Sequence, residues 1–431
     1  MNEEVLAELF VSIQRAIMLN PCSYMPYRAL AVYYRNKGNS YQEYLCLKQA
    51  LLYCDNETDR DSLLKEVYSL EENGIKVPRT AVIILSWNLI DYTKQCIESV
   101  RKTTLPEDVQ IIVVDNGSTD GSAEWLQEQK DLTVRLNETN DGFPAGCNEG
   151  IELADEEADI YLLNNDTVLP YNALFWLKMG LYENERIGAT GSLTNFAGNG
   201  QMINERFEDP GQVLEYAATH NIPLSYPYET KIWLVGFSML IRRTVLDEVG
   251  VLDERFSPGN SEDVDISLRI RAAGYENIVC RNSVILHFGS KSFGKLGQEF
   301  EEIGNRNIEK LNDKYGIDLR YYLHPRTEIV KHIDVDQETP IRVLEWGCGA
   351  GATLAYIRTH YPNSSVYGVE IVPMPAGVAA SMGEVVCDNL ETMEFEYEEE
   401  FFDYCIMGDV LEHLHNPQNE LTKLRPYVKT G

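Results

Sequence analysis

Two acidic groupings stand out for the chemistry their spacing allows. Tyr161-Leu-Leu-Asn-Asn-Asp166-Thr-Val-Leu-Pro170 is a short apolar run that ends in a carboxylate preceded by two amides. Strand ends of open α/β sheets are where ligands sit. A lone Asp there, with no Arg or Lys beside it in sequence, suits a hard divalent cation and a phosphate. Downstream, Gly259-Asn-Ser-Glu-Asp263-Val-Asp265 places Glu262, Asp263 and Asp265 at the start of an expected helix. A carboxylate in such a cluster can act as a general base, or favour the helix start through the dipole.

These residues need elements to position them. Residues 1–78 read as helices: Val5, Leu6, Leu9, Ile13 and Ile17 recur at helical steps, and further helices are expected over 27–37, 41–54 and 59–72. From Val77-Pro78 onward strands and helices alternate. Expected strands at 81–85, 110–114, 132–136 and 160–163 are separated by helices at 92–102, 122–130 and 140–154. Beyond about residue 190 the pattern loosens until the apolar run Trp233–Arg242. Residues 324–340 read as a linker, and a new alternation opens at Ile341. The expected class is α/β, divided into 1–78, 79–323, the linker 324–340, and 341–431.

With 431 residues the chain is too long for one core. Its 37 Lys plus Arg against 68 Asp plus Glu give a net charge of −31. Nucleic acid and anionic membranes are therefore poor partners. Most of this charge is expected to serve solubility, and the run Glu394–Glu400 reads as a solvated loop. Nine cysteines without a Cys-x-x-Cys pair point to reduced thiols and a cytoplasmic protein. No apolar run is long enough for a transmembrane segment. Met1-Asn-Glu-Glu carries no basic leader.

Six blocks in order make residues 80–320 resemble a family-two glycosyltransferase of the GT-A fold, in the subgroup that includes rhamnosyltransferases. They are Val82–Asn88, Val113–Asp120, Asn140–Asn148, Leu163–Thr167, Gly236–Arg243, and Phe256 through Tyr275 followed by His287. The resemblance implies an inverting, metal-dependent transfer of a sugar from a nucleotide-diphosphate donor (UDP-, dTDP- or GDP-linked) to a hydroxyl of a glycan or protein acceptor. Ser86 and Asn88 would meet the base or ribose, and Asp115 the base N–H, with a turn-forming role for Asp115 as the alternative. Gly142 and Gly146 would let the backbone approach the diphosphate, with Asn148 donating to it and Asn164 holding the ribose. Asp166 would bind Mn²⁺ or Mg²⁺, with His287 as a further ligand. Asp263 would be the base, Glu262 and Asp265 orienting the acceptor or capping the helix. Ser290–Gly294 would form a lid whose Lys291 reaches the diphosphate. Trp233 and Phe237 would line the acceptor site or fill the core.

Two smaller resemblances frame that domain. Ala29–Tyr34, Gly38 and Ala50-Leu51 resemble a single tetratricopeptide unit, which implies a site for a protein partner or plain packing against the next domain. Residues 341–431 resemble the first half of a class I methyltransferase that uses S-adenosylmethionine. Glu345, Gly347, Gly349 and Gly351 form its first motif; Glu370 would hold the ribose and Asp388-Asn389 the adenine, with Asp409–His413 matching a later segment. The family has further strands, so the chain is expected to be a piece of a longer protein with doubtful methyl transfer. Two other functions stay open at this point: methyl transfer as the main activity, and a non-catalytic adaptor that only binds nucleotide sugar.

Overall fold

The computed structural model describes residues 2–289 and 298–430, leaving aside the side chains of 298–300. The chain falls into two compact units. The larger comprises residues 1–228, 234–263 and 278–307; the smaller comprises 229–233, 264–277 and 308–431.

The larger unit begins with four helices, Glu3–Leu19, Tyr24–Lys37, Ser40–Tyr53 and Glu57–Glu72. Their ends follow local chemistry. Asn2 and Asn56 accept from the amides of Val5 and Asp59, as N-caps do. Gly38, with φ +78°, closes the second helix in the left-handed conformation that glycine reaches without strain. Buried bonds tie these helices to the following fold. The Tyr27 hydroxyl donates to Asn172 at 2.8 Å, and the Gln42 amide donates to the Tyr182 carbonyl at 2.7 Å.

The strands are β1 (Thr80–Ser86), β2 (Val109–Asn116), β3 (Leu132–Asn137), β4 (Asp159–Asn164), β5 (Thr167–Val168), β6 (Ile187–Thr194), β7 (Tyr228–Lys231), β8 (Ser238–Ile241) and β9 (Glu276–His287). Their main path runs β3-β2-β1-β4-β8-β6-β9-β5. The first four positions are parallel, and β8 turns the sheet antiparallel between β4 and β6. Val82 and Ile84 on one face and Ile83 and Ile112 on the other are buried, as strands covered on both faces require. The apolar run Trp233–Arg242 forms a strand only over Ser238–Ile241.

The smaller unit carries a parallel sheet of β10 (Arg342–Trp346), β11 (Ser365–Glu370), β12 (Glu384–Cys387) and β13 (Tyr404–Met407), in the order β12-β11-β10-β13. Residues 324–340, read from sequence as a linker, include the helix Thr327–Val330 and lie in this unit. Among the described residues, no helix is long and apolar enough to cross a membrane. All nine cysteines are free thiols.

Candidate functional site

The ladder between β5 and β9 pairs Thr167 with His287 and Val168 with Leu286, which sets Asp166 beside the imidazole. The Phe288 amide closes the corner by donating to the Asp166 carbonyl at 2.9 Å. His287 Nδ1 lies 2.9 Å from the Phe196 carbonyl oxygen. A carbonyl only accepts, so Nδ1 carries the proton and Nε2 presents its lone pair. Nε2 is 3.2 Å from Asp166 Oδ1, yet the two are not aligned as a hydrogen bond, and buried Nε2 has no hydrogen-bond partner. Both residues are about nineteen-twentieths buried, at 6% and 5% exposure. A lone pair and a carboxylate oxygen so close in a dry place suit a shared divalent cation, and a backbone-held Nδ1–H is the usual support of a metal-binding imidazole. Among the described residues, no group of three or more His, Cys, Asp or Glu comes together to hold a metal. Two protein donors leave further coordination positions for phosphate oxygens and water.

Phe237, expected at the acceptor site or in the core, is buried, and its ring stacks on His287 at 5.2 Å and 10°. Its carbonyl accepts from the Asn164 amide at 3.0 Å. The neighbouring Gly236 amide donates to Asp263 Oδ2 at 3.1 Å. Residues 236–237 thus touch both groupings that the sequence singled out. Asp263 is half-buried and Glu262 buried, at the start of the helix Glu262–Ala272. The turn before them holds Asn260 and Ser261 both at φ +83°, a conformation that costs energy for a non-glycine residue. Asn307 steadies that turn by donating to the Phe256 and Gly259 carbonyls. Asp265 departs from expectation. It is fully buried and bound by Arg269, Lys314 and the Tyr315 hydroxyl, so it serves as an ion-pair hub and is unavailable to an acceptor.

Several of the residues expected to contact the donor make bonds within the protein. Ser86 is fully buried, its hydroxyl 3.3 Å from that of Thr93, which accepts in turn from Asn165 at 3.0 Å. Through Thr93 it supports the amide of Asn165, next to Asp166. Asn148 spends its amide on the Leu252 carbonyl, the Leu252 N–H and Glu254, at 2.9, 3.0 and 2.9 Å. Gly142 has φ +92°, and a Cβ there would lie 2.7 Å from Pro258 Cα; at Gly146 it would lie 2.3 Å from Leu85 Cδ1. These glycines are required by the close approach of Pro258 and of β1, which is reason enough without a diphosphate. Asp115 accepts from the Ser118 amide and hydroxyl at 2.9 and 2.6 Å, the turn-forming role. Asn88 joins the loops after β1 and β2 by accepting from the Thr119 amide at 2.9 Å. The Asn164 side chain is half-buried at the end of β4. Lys291 and the proposed lid, 290–294, lie outside the described residues.

The smaller unit holds a cavity of about 670 Å³ at the ends of β10 and β11. Glu345, Gly347, Gly349, Glu370 and Asp388 all line it. Glu370 accepts from the Gly349 and Val372 amides at 3.0 and 2.9 Å. Gly347 has φ +63°, and a Cβ there would strike Val410 at 2.4 Å. Gly351 faces Ala379, away from the cavity lining. Buried Glu345 leaves Oε2 without a partner, and burial pushes its carboxyl up to about 8, against a hydrogen bond with Thr353 and the charge of Arg326. An unmet acceptor beside a glycine turn and a ribose-spaced acid fits the cationic amino-acid end and the ribose of S-adenosylmethionine. Sequence reasoning missed Tyr321, Tyr322, His324 and Arg326, which also line this cavity. They carry no pattern of their own; only their fold-back onto β10 and β13 places them there.

Residues 81–250 match the model of Glycosyl transferase family 2, and residues 318–431 match that of a methyltransferase domain. Among curated proteins, the uncharacterized protein y4gI of Sinorhizobium fredii is 26% identical over 239 residues, covering 50% of this chain and 25% of that protein. Glycosyltransferase AglE of Haloferax volcanii is 25% identical over 239 residues, covering 54% of this chain and 74% of that one. A solved structure of GalNAc-T7 with UDP, GalNAc and Mn²⁺ aligns with 49% of this chain and 44% of its own at 15% identity and a TM-score of 0.40. The chain spans a quarter of the length of y4gI.

Proposed function

From a glycosyl transferase family 2 domain over residues 81–250 and a methyltransferase domain over 318–431, we propose that this chain is an inverting, metal-dependent glycosyltransferase. It takes a hexosyl or deoxyhexosyl group from a UDP-, dTDP- or GDP-linked donor to a hydroxyl of a glycan or protein, in the cytoplasm. The observation that carries this reading is the buried, unpartnered Nε2 of His287 at 3.2 Å from Asp166 Oδ1. Asp166 and His287 are the residues that would hold Mn²⁺ or Mg²⁺. A divalent cation bound there supplies positive charge to the leaving nucleoside diphosphate.

The donor lies over the carboxyl ends of β1, β2 and β4, against Asn88, the 115–118 turn and Asn164. Asp263 takes the proton of the acceptor hydroxyl as its oxygen bonds to the anomeric carbon and the bond to the diphosphate breaks. The Gly236 amide orients that carboxylate, and Glu262 supports the helix start. The helical module, residues 1–78, is available to a protein partner. In the smaller unit, the cavity with the unmet Glu345 oxygen favours a second reading, S-adenosylmethionine binding.

The test is hydrolysis and transfer from a panel of UDP-, dTDP- and GDP-sugars with and without Mn²⁺, for the natural chain and Asp166→Ala. Metal-dependent turnover that vanishes in a folded Asp166→Ala protein is the expected result. Wild-type turnover in that variant sinks the metal assignment; donor binding without any turnover points to an adaptor.

A further inference from the structure

We propose that Asn195 is the positioning residue for His287, a role that rests on reading Asp166 and His287 as the cation site. In the β5–β9 ladder the cross-strand bond is made by Phe288, which donates to the Asp166 carbonyl. That alternation turns the N–H and C=O of His287 away from β5, toward β6, the strand on the other side of β9. But β6 ends at Thr194. The side-chain amide of Asn195 completes the row: its Nδ2 donates to the His287 carbonyl at 2.9 Å, and its Oδ1 accepts from the His287 N–H at 2.9 Å. One side chain therefore replaces a missing backbone partner in both directions.

The next residue fixes the ring. The Phe196 carbonyl holds Nδ1, and the Phe196 ring meets the imidazole edge-on at 5.9 Å. The Phe196 ring also sits over Gly289, where a Cβ would come within 2.6 Å of it. Asn195 and Phe196 thus set the position and the tautomer of His287 together, by contacts that do not involve Asp166. The loop that carries them is closed at its base. Thr194 donates to the Gln201 carbonyl and accepts from the Ile203 amide, each at 2.9 Å. Fully buried Gln201 reaches on to the segment beside the site, its Oε1 accepting from the Val235 amide at 2.8 Å. A side chain held this way keeps Nε2 aimed at the Asp166 oxygen before any cation arrives. Loss of such a support for a metal ligand costs roughly 10–100-fold in metal affinity.

Asn195→Ala removes both bonds; Asn195→Asp keeps an acceptor for the His287 N–H and loses the donor to its carbonyl. Manganese binding to the full chain is followed by electron paramagnetic resonance, with Mn²⁺ alone and with Mn²⁺ plus UDP, dTDP or GDP. Nucleotide binding in EDTA and circular dichroism are recorded in parallel. Expected is a 10–100-fold weaker Mn²⁺ affinity for Asn195→Ala, a smaller loss for Asn195→Asp, and a matching rise in the Mn²⁺ needed for half-maximal turnover. Nucleotide binding without metal should stay at the natural level. If Asp166→Ala weakens Mn²⁺ binding while both Asn195 variants bind it as the natural chain does, the positioning role is refuted and the site survives. If Asp166→Ala binds Mn²⁺ normally, the site itself is refuted. Should Asn195→Ala fail to fold, Asn195→Asp decides alone.

Discussion

Asn148 offers a sharp test, because local sequence and tertiary contacts assign it different roles. Its amide makes three bonds to the stretch after β8, two of them to the N–H and C=O of Leu252, itself only 3% exposed. Asn148→Ala strips both backbone groups of their partner in a place where water has little access. Each buried group left unmet costs about 1–3 kcal/mol, so the expected loss of stability is roughly 2–4 kcal/mol after local relaxation. For a unit of this size that lowers Tm by roughly 5–10 °C. Differential scanning calorimetry measures the shift, and calorimetric titration with nucleoside diphosphates measures binding below the transition. Affinity should stay within about twofold, since no donor contact is lost. An unchanged Tm with a collapse of nucleotide affinity would refute the reasoning and return Asn148 to the diphosphate.

Three further outcomes are expected. Asp263→Asn keeps the shape of the side chain but cannot accept a proton; turnover should fall roughly 10²–10⁴-fold with donor affinity little changed, and a collapse of donor binding with high residual turnover moves the base elsewhere. Gly142→Ala places a Cβ 2.7 Å from Pro258 Cα at φ +92°, which should cost roughly 2–4 kcal/mol and lower transfer by shifting the turn that delivers Asp263, read by Tm and turnover together. Glu345 has a native carboxyl raised from 4.5 to about 8 by burial, so between those values the native state keeps a proton that the unfolded chain releases. Stability therefore falls as pH rises through that window, by up to about 1.4 kcal/mol per pH unit, and is flat outside it. Glu345→Gln removes this slope, so its Tm advantage over the natural chain should widen from about pH 5 to about pH 8, and equal Tm profiles would remove the buried charge from the account.

The sequence by itself determined the α/β alternation, the four amino-terminal helices and the order of the blocks that resemble a sugar transferase. Apolar periodicity and the caps at Asn2, Asn56 and Gly38 are local signals, and they produced local structure where they stood. It also marked Asp166, Asp263 and His287, since a carboxylate or imidazole at an element's end is visible in one dimension. Only the tertiary structure decided which polar residues are met by partners inside the protein. Ser86, Asn148 and Asp265 look like the others in sequence, but their polar atoms are met by Thr93, Leu252 and Lys314, the last two distant along the chain. The same holds for Asn195: its worth comes from lying just past the end of β6, where its side chain meets the His287 N–H and C=O, an encounter that no local pattern encodes. A buried polar atom must be satisfied by whatever packs against it, and packing is settled by the fold as a whole.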